Sequence, residues 1–283
     1  MESDEPVQKL SIVVITRNEE ANMPDFLGNH SFADEVVVVD ALSEDRTAEI
    51  CRAGGAKVIE NEWPGFPSQW NVGIDAATGE WILVQDADQR VTPELVAAIK
   101  DLLSREFQEH DAYYIPRRNL AFGRWIRHCG WYPDLSYPRL FKRGVARFDE
   151  NKSVHEKLRF SVTAGRIHAD IIHDSYQSVE QYVRKLNLYT TLESKDRLAA
   201  RKSKIGFRQV LCDKRIPRSA KAAYLKHCMP CRPLLRFLWM YVFKLGFLDG
   251  RAGLRLCLLS AFYEVVTDAK VRLLIKEEDA KAR

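Results

Sequence analysis

Two hydrophobic periods alternate along the first hundred residues, and that alternation limits the folds open to the chain. LSIVVITR (10–17), DEVVVVD (34–40), AKVIEN (56–61) and EWILVQDAD (80–88) are short runs, mostly apolar and rich in β-branched residues. Between them EEANMPDFLGNH (19–30), SEDRTAEICRAGG (43–55) and PSQWNVGIDAATG (67–79) carry helical signals. Ser43 suits an N-cap, Arg46 to Arg52 a helix, and Gly54-Gly55 and Gly79 suit helix stops. Continuous apolar strands separated by helices of about ten residues imply a mostly parallel sheet covered by helices on both faces, an α/β fold.

In sheets of this kind ligands bind in the crevice outside the carboxyl ends of the strands. The polar residues Thr16, Asn18, Asp40, Asp86 and Asp88 all fall at such ends. The fourth strand runs through residue 88, and alternation along it puts Asp86 and Asp88 on one side and Ala87 on the other. Two carboxylates so placed can gather a hard divalent cation, Mg²⁺ or Mn²⁺, which also takes phosphate oxygens. Small Ala87 lets a diphosphate come close. The other reading is a solvated turn running into Gln89-Arg90, and the position after an alternating β/α unit favours the cation.

Thr92-Pro93 opens an amphipathic helix, ELVAAIKDLLSREF, and AYYIPRR (112–118) reads as one further strand. From there to about residue 175 the pattern is short and aromatic, and beyond Val179 helical signals dominate.

Charge is unevenly distributed. Residues 195–255 hold 16 Lys or Arg against 3 Asp, while the whole chain carries only +4, so the remainder is acidic. So basic a stretch points to an anionic partner: a membrane surface, a phosphorylated substrate or nucleic acid. The six cysteines are scattered, with a lone C-x-x-C at Cys228 and Cys231, and MESDEPVQK lacks the apolar stretch of a secretory signal. Ordinary thiols in a reducing cytoplasm are expected.

Four blocks carry a family resemblance: SIVVITRNEEAN; ADEVVVVDALSEDRTAEICRAGGAKVI; WPGFPSQWNVGIDAATGEWILVQDADQRVTPEL; and GWYPDLSYPRLFKRG with VHEKL. Together they resemble the family-2 inverting glycosyltransferases of the nucleotide-sugar-binding fold called GT-A, in the branch of the lipopolysaccharide-core β-1,4-glucosyltransferases. The resemblance implies a flexible N-terminus (1–9) and a catalytic domain at 10–175, with 10–110 for the nucleotide and 111–175 for the acceptor. A helical C-terminal region at 176–283 completes it. It implies a UDP-sugar donor, with Thr16, Asn18, Glu19 and Asp40 near the nucleotide and Asp86 and Asp88 at the metal, Asp88 as the more direct ligand. The family's D-S-G-S-T-D-R-T is here D-A-L-S-E-D-R-T, with bulkier residues in the loop, and its D-A-D-E ends in Gln89. Glu156 takes the position of the base that deprotonates the acceptor hydroxyl, with Asp134 as the other candidate and His155, Arg139 and Arg143 as neighbours.

RPLLRFLWMYVFKLGFLDG (232–250) is the most apolar segment, but its run from Leu234 to Leu248 is 15 residues long. That is short of the ~20 a membrane span needs. It suits a helix lying on an anionic leaflet or one packed on the catalytic domain. The resemblance, whose acceptors are saccharides or lipid-linked saccharides, favours a peripheral site on the inner face of the cell membrane. Two other functions stand beside this one. A nucleotidyltransferase lacks its Gly-rich basic N-terminal signature here. A non-catalytic anionic-polymer binder leaves Asp40, Asp86 and Asp88 unexplained, and no nucleic-acid recognition signature is present.

Overall fold

The computed structural model describes residues 8–150, 158–176, 178–201 and 231–281. Glu156, His155 and Cys228 lie outside the described residues, as does much of the basic stretch. The chain divides into two compact units, one of residues 1–120 with 131–175 and one of residues 121–130 with 176–283.

The first unit begins with β1 (Leu10–Thr16), α1 (Met23–Asn29), β2 (Glu35–Asp40), α2 (Thr47–Ala53), β3 (Lys57–Glu60), α3 (Phe66–Ala76) and β4 (Trp81–Val84). It continues with β5 (Gln89–Val91), α4 (Pro93–Ser104), β6 (Ala112–Tyr114) and β7 (Arg117–Ala121). After the short β8 (Arg124–Trp125) of the second unit come β9 (Leu140–Lys142), β10 (Ala146–Phe148), β11 (Leu158–Phe160), β12 (Ala164–Arg166) and β13 (Ile171–Tyr176). A seven-stranded sheet has the order β12-β6-β9-β4-β1-β2-β3. Its pairs are parallel except those of β9, which runs antiparallel to both β4 and β6. A smaller sheet includes the order β5-β13-β7.

Alternation along the strands builds two cores. Ile12, Val14, Trp81 and Leu83 face one way, toward Phe26 of α1, Cys51 of α2 and Leu95 of α4. Val13, Ile82 and Val84 face the other way, toward Trp70 and Ile74 of α3. Helices therefore cover both faces, and each fully buried aliphatic side chain contributes about 1.5–3 kcal/mol. At Gly73 an added Cβ would collide with the side chains of Val13 and Val39, so α3 lies closer to the sheet than alanine permits.

Three local expectations change. Thr92 does cap α4, accepting from Leu95 N at 3.3 Å, but Ser43 caps nothing: α2 starts at Thr47, and Ser43 bonds to Asp40 instead. AYYIPRR is two strands, because Pro116, with no N–H to donate, separates β6 from β7. Finally, β4 ends at Val84, so Asp86 and Asp88 lie on the turn between β4 and β5 rather than on a strand.

In the second unit α5 (Val179–Arg201), α6 (Arg232–Leu238) and α7 (Gly250–Lys281) are helices, and α7 packs along both others. The segment 232–250 is not one helix. After α6 comes a π-helical turn, Trp239–Phe243, closed by Lys244 N donating to Trp239 O at 2.8 Å. Leu245 then adopts a left-handed conformation (φ 55°), and a 3₁₀ turn, Gly246–Asp249, leads into α7. Buried Glu264 of α7 accepts from Arg197 Nη2 at 2.7 Å and from Arg232 Nε at 2.9 Å, tying the three helices together. No described helix is long and apolar enough to cross a membrane.

Candidate active site

Adjacent strands β2, β1 and β4 all end at one edge of the large sheet, because the β1 register pairs Thr16 with Asp40 and Val13 with Val84. Asp40 is 1% exposed and organises the loops there. Its Oδ1 accepts from Thr16 Oγ1 (2.9 Å) and Ser43 Oγ (2.6 Å), and its Oδ2 from Ser43 N (2.8 Å). Asn18 N donates to Ser43 Oγ (2.8 Å) and Asn18 Oδ1 accepts from Glu44 N (2.8 Å), while Glu19 N donates to Thr47 Oγ1 (2.8 Å). The β1 and β2 loops are therefore laced into one surface. Two of its residues, Asn18 (φ 56°) and Leu42 (φ 53°), hold left-handed backbone.

Asp86 and Asp88 converge through the tight turn closed by Gln89 N donating to Asp86 O at 3.0 Å. A third donor joins them: an atom of His173 and one from each carboxylate all lie within 4.8 Å of one another. His173 Nε2 is 3.4 Å from Asp88 Oδ1. The ring's orientation follows from the surroundings. Asn119 Nδ2 donates to Trp131 O (3.0 Å), which leaves Asn119 Oδ1 facing His173 Nδ1 at 2.8 Å. Nδ1 then donates to Asn119 Oδ1, and Nε2 is the ring nitrogen turned toward Asp88. Two carboxylates and an imidazole form a donor set that fits a divalent cation of the Mg²⁺ or Mn²⁺ kind. Gln89, standing where a third acid was missing, donates through Nε2 to Asp86 Oδ2 and so orients the carboxylate.

Guanidinium groups back this cluster. Arg117 Nη1 lies 3.7 Å and Arg139 Nη1 4.0 Å from Asp86 Oδ2. Arg139 is 1% exposed, stacks over Tyr137 at 4.7 Å, and its Nη2 meets no partner among the described residues. Arg143, at the opposite end of β9, is exposed and lies away from the site. Asp134 is ion-paired to Arg117, whose Nε is 2.9 Å from Asp134 Oδ2. Burial opposes the Asp134 charge, yet Arg117 and Arg139 win and hold its carboxyl below the usual range.

His173, Asn119 and Arg117 are the site residues that pattern reading missed. No local signal marks them. His173 reaches the turn because β13 pairs antiparallel with β5, which sets His173 opposite Gln89, the residue after Asp88.

An α/β sheet with laced loops and a carboxylate pair at its carboxyl edge defines an α/β protein with a candidate ligand crevice at that edge. Residues 11–164 match the family described as glycosyl transferase family 2, and the chain belongs to that family, with the GT-A architecture. It is 29% identical over 211 residues to an uncharacterized glycosyltransferase of Rickettsia felis, covering 71% of this chain and 75% of that protein. To the lipopolysaccharide core biosynthesis glycosyltransferase LpsC of Rhizobium meliloti it is 26% identical over 274 residues, covering 93% and 89%. Among solved structures, S. aureus TarS aligns with a TM-score of 0.44 and 18% identity over 93% of this chain, which spans 50% of that chain. Family membership makes the protein a glycosyltransferase and sets aside the nucleotidyltransferase and polymer-binding alternatives.

Proposed function

We propose that the protein transfers a hexose, with inversion, from a UDP-sugar to a saccharide or lipid-linked acceptor in cell-envelope glycan or lipopolysaccharide-core synthesis. The observation that carries this is the convergence of Asp86, Asp88 and His173 on one turn at the carboxyl edge of the sheet. Glucose as the hexose rests on the sequence resemblance alone. The likeness to LpsC over most of both chains supports an envelope acceptor.

In this reading Thr16, Asn18, Glu19 and Asp40 form the nucleotide end. Asp88, Asp86 and His173 would hold Mg²⁺ or Mn²⁺, and an ion held there would supply charge to neutralise a departing diphosphate. Arg117 and Arg139 set positive charge 3.7 and 4.0 Å from Asp86 Oδ2, on the side of the carboxylate pair. Asp134, committed to Arg117 with a lowered pKa, is a weak proton acceptor. That supports Glu156 as the base for the acceptor hydroxyl. The same reading puts the protein in the cytoplasm, at the inner face of the membrane that carries a lipid-linked acceptor.

The test is thermal stabilisation by UDP with and without Mn²⁺, followed by a hydrolysis screen across UDP- and GDP-sugars. UDP stabilisation that appears only with the metal, together with turnover of a UDP-hexose, is expected. Stabilisation indifferent to chelator, or turnover of GDP-sugars alone, would overturn the proposal.

A further inference from the structure

Helix α7 carries apolar side chains on its exposed side as well as on its buried one. Leu254, Leu258, Phe262 and Val265, spaced at four, four and three residues, form one exposed stripe, while Glu264 and Thr267 are buried against the neighbouring helices. The segment before α7 is equally uncovered: Phe243 is 70%, Leu234 61% and Trp239 54% exposed. Exposed apolar surface of this extent is uncommon on a protein that meets only water.

The charges around it share one sign. Between Cys231 and Tyr263 the sequence has a single acid, Asp249. That acid is 5% exposed and accepts from the backbone N–H groups of Arg127 (3.2 Å) and His128 (2.8 Å). Every exposed charge in the same stretch is basic: Arg236, Lys244, Arg251 and Arg255. Lys244 Nζ lies 5.2 Å over the Trp239 ring, so the longest apolar body and a cation are presented together.

We propose that α6, the π-helical turn and the N-terminal half of α7 form an in-plane docking surface for an anionic lipid leaflet. Aromatic and aliphatic side chains enter the headgroup boundary, and the four basic residues meet lipid phosphates. Charge selects this occupant over a second copy of the chain. A twofold interface through the same patch would set Arg and Lys against their own kind with no exposed acid in the stretch to answer them. The surface requires no spanning helix, and no described helix is both long and apolar enough to be one. It also stands independently of the donor, since none of its residues belongs to the nucleotide site.

The experiment is co-sedimentation of the full chain with vesicles of phosphatidylcholine alone and of phosphatidylcholine with phosphatidylglycerol, at low and high salt. Binding to the anionic vesicles alone, weakened by salt, is expected. The double variant Trp239→Ser with Phe243→Ser should lose about tenfold or more in partitioning. Arg251→Glu with Arg255→Glu should lose at least about fivefold per residue. In the wild-type chain, lipids brominated along the acyl chain should quench tryptophan fluorescence, and Trp239→Phe should remove that quenching; this readout stands if the serine variant fails to fold. UDP stabilisation measured without vesicles keeps a failure of this surface separate from a failure of the donor site. No binding to anionic vesicles overturns the proposal, as does binding unchanged in both double variants. A dimer in sedimentation velocity that Phe243→Ser dissolves, without vesicle binding, assigns the face to a second copy and likewise overturns it.

Discussion

His173 Nε2 stands 3.4 Å from Asp88 Oδ1, although 85 positions of chain separate the two residues. Asn119 fixes the arrangement from behind by accepting from Nδ1 at 2.8 Å, with Ser175 Oγ 3.0 Å from the same nitrogen. A ring so held keeps Nε2 turned to the carboxylates, the orientation in which it could share a cation with them. His173→Ala is therefore expected to abolish the Mn²⁺-dependent stabilisation by UDP. Asn119→Ala, which leaves the imidazole but frees its orientation, should weaken metal affinity by roughly 10–100-fold. Calorimetric titration of Mn²⁺ in the presence of UDP measures both, and an Asn119→Ala variant that titrates like the wild type would remove the orienting role.

Glu156→Gln should stop sugar transfer while leaving UDP-sugar binding nearly intact, since a base acts on the acceptor hydroxyl and not on the donor. Asp134→Asn should behave differently. It removes a carboxylate that Arg117 grips through two nitrogens, leaving that guanidinium less well compensated, so a stability loss of about 1–3 kcal/mol is expected. Transfer assays alongside thermal melts separate the two. A folded Asp134→Asn protein with no turnover, beside an active Glu156→Gln protein, would move the base to Asp134.

What could be read ahead of the structure was whatever depends on neighbours in sequence. Ile12 to Val14, Val36 to Val39 and Trp81 to Val84 announced buried strands because a strand covered on both faces is apolar at consecutive positions. Thr92-Pro93 announced α4 because cap and helix start are adjacent. At the carboxyl edge the candidate site was legible at residues that close a strand or come soon after one: Thr16, Asn18, Glu19, Asp40, Asp86 and Asp88. His173 and Arg117 arrive through strand pairing, a long-range choice that no window of residues records. Arg139 and Arg143 look alike in YPRLFKRG. The antiparallel run of β9 decides between them, because it carries Arg139 toward the carboxyl edge and Arg143 away from it.

Leu42 offers a test of backbone strain. It holds φ 53° at the loop position where the related pattern carries glycine, and its side chain is 49% exposed, so little packing depends on it. A left-handed conformation costs an L-residue roughly 1–2 kcal/mol. Glycine relieves that cost but loses about 0.5–1 kcal/mol more chain entropy on folding. Leu42→Gly should therefore stabilise the protein by about 0.5–1 kcal/mol, read as a rise in the urea midpoint at unchanged slope. A fall in midpoint would show that the leucine side chain contributes packing that outweighs the strain.

His30 sets an acid limit on stability. It is fully buried, stacked at 4.0 Å on Phe26, and its Nδ1 bonds to Phe26 O at 2.8 Å. Burial, helped by the charge of Arg90 and opposed by the bond to Phe26 O, lowers its pKa from 6.5 to about 4. The folded state thus prefers the neutral ring, while the unfolded chain takes up a proton near 6.5. The stabilisation is complete above pH 6.5 and is lost as the pH falls through that value toward 4, where the loss reaches about 3 kcal/mol in total. His30→Phe, which keeps an aromatic ring between Phe26 and Phe32, has no proton to take up and should show a flatter acid limb over that window. Urea midpoints measured across it for both proteins decide the matter, and parallel curves would mean that His30 is protonated in the folded protein as readily as in the unfolded chain.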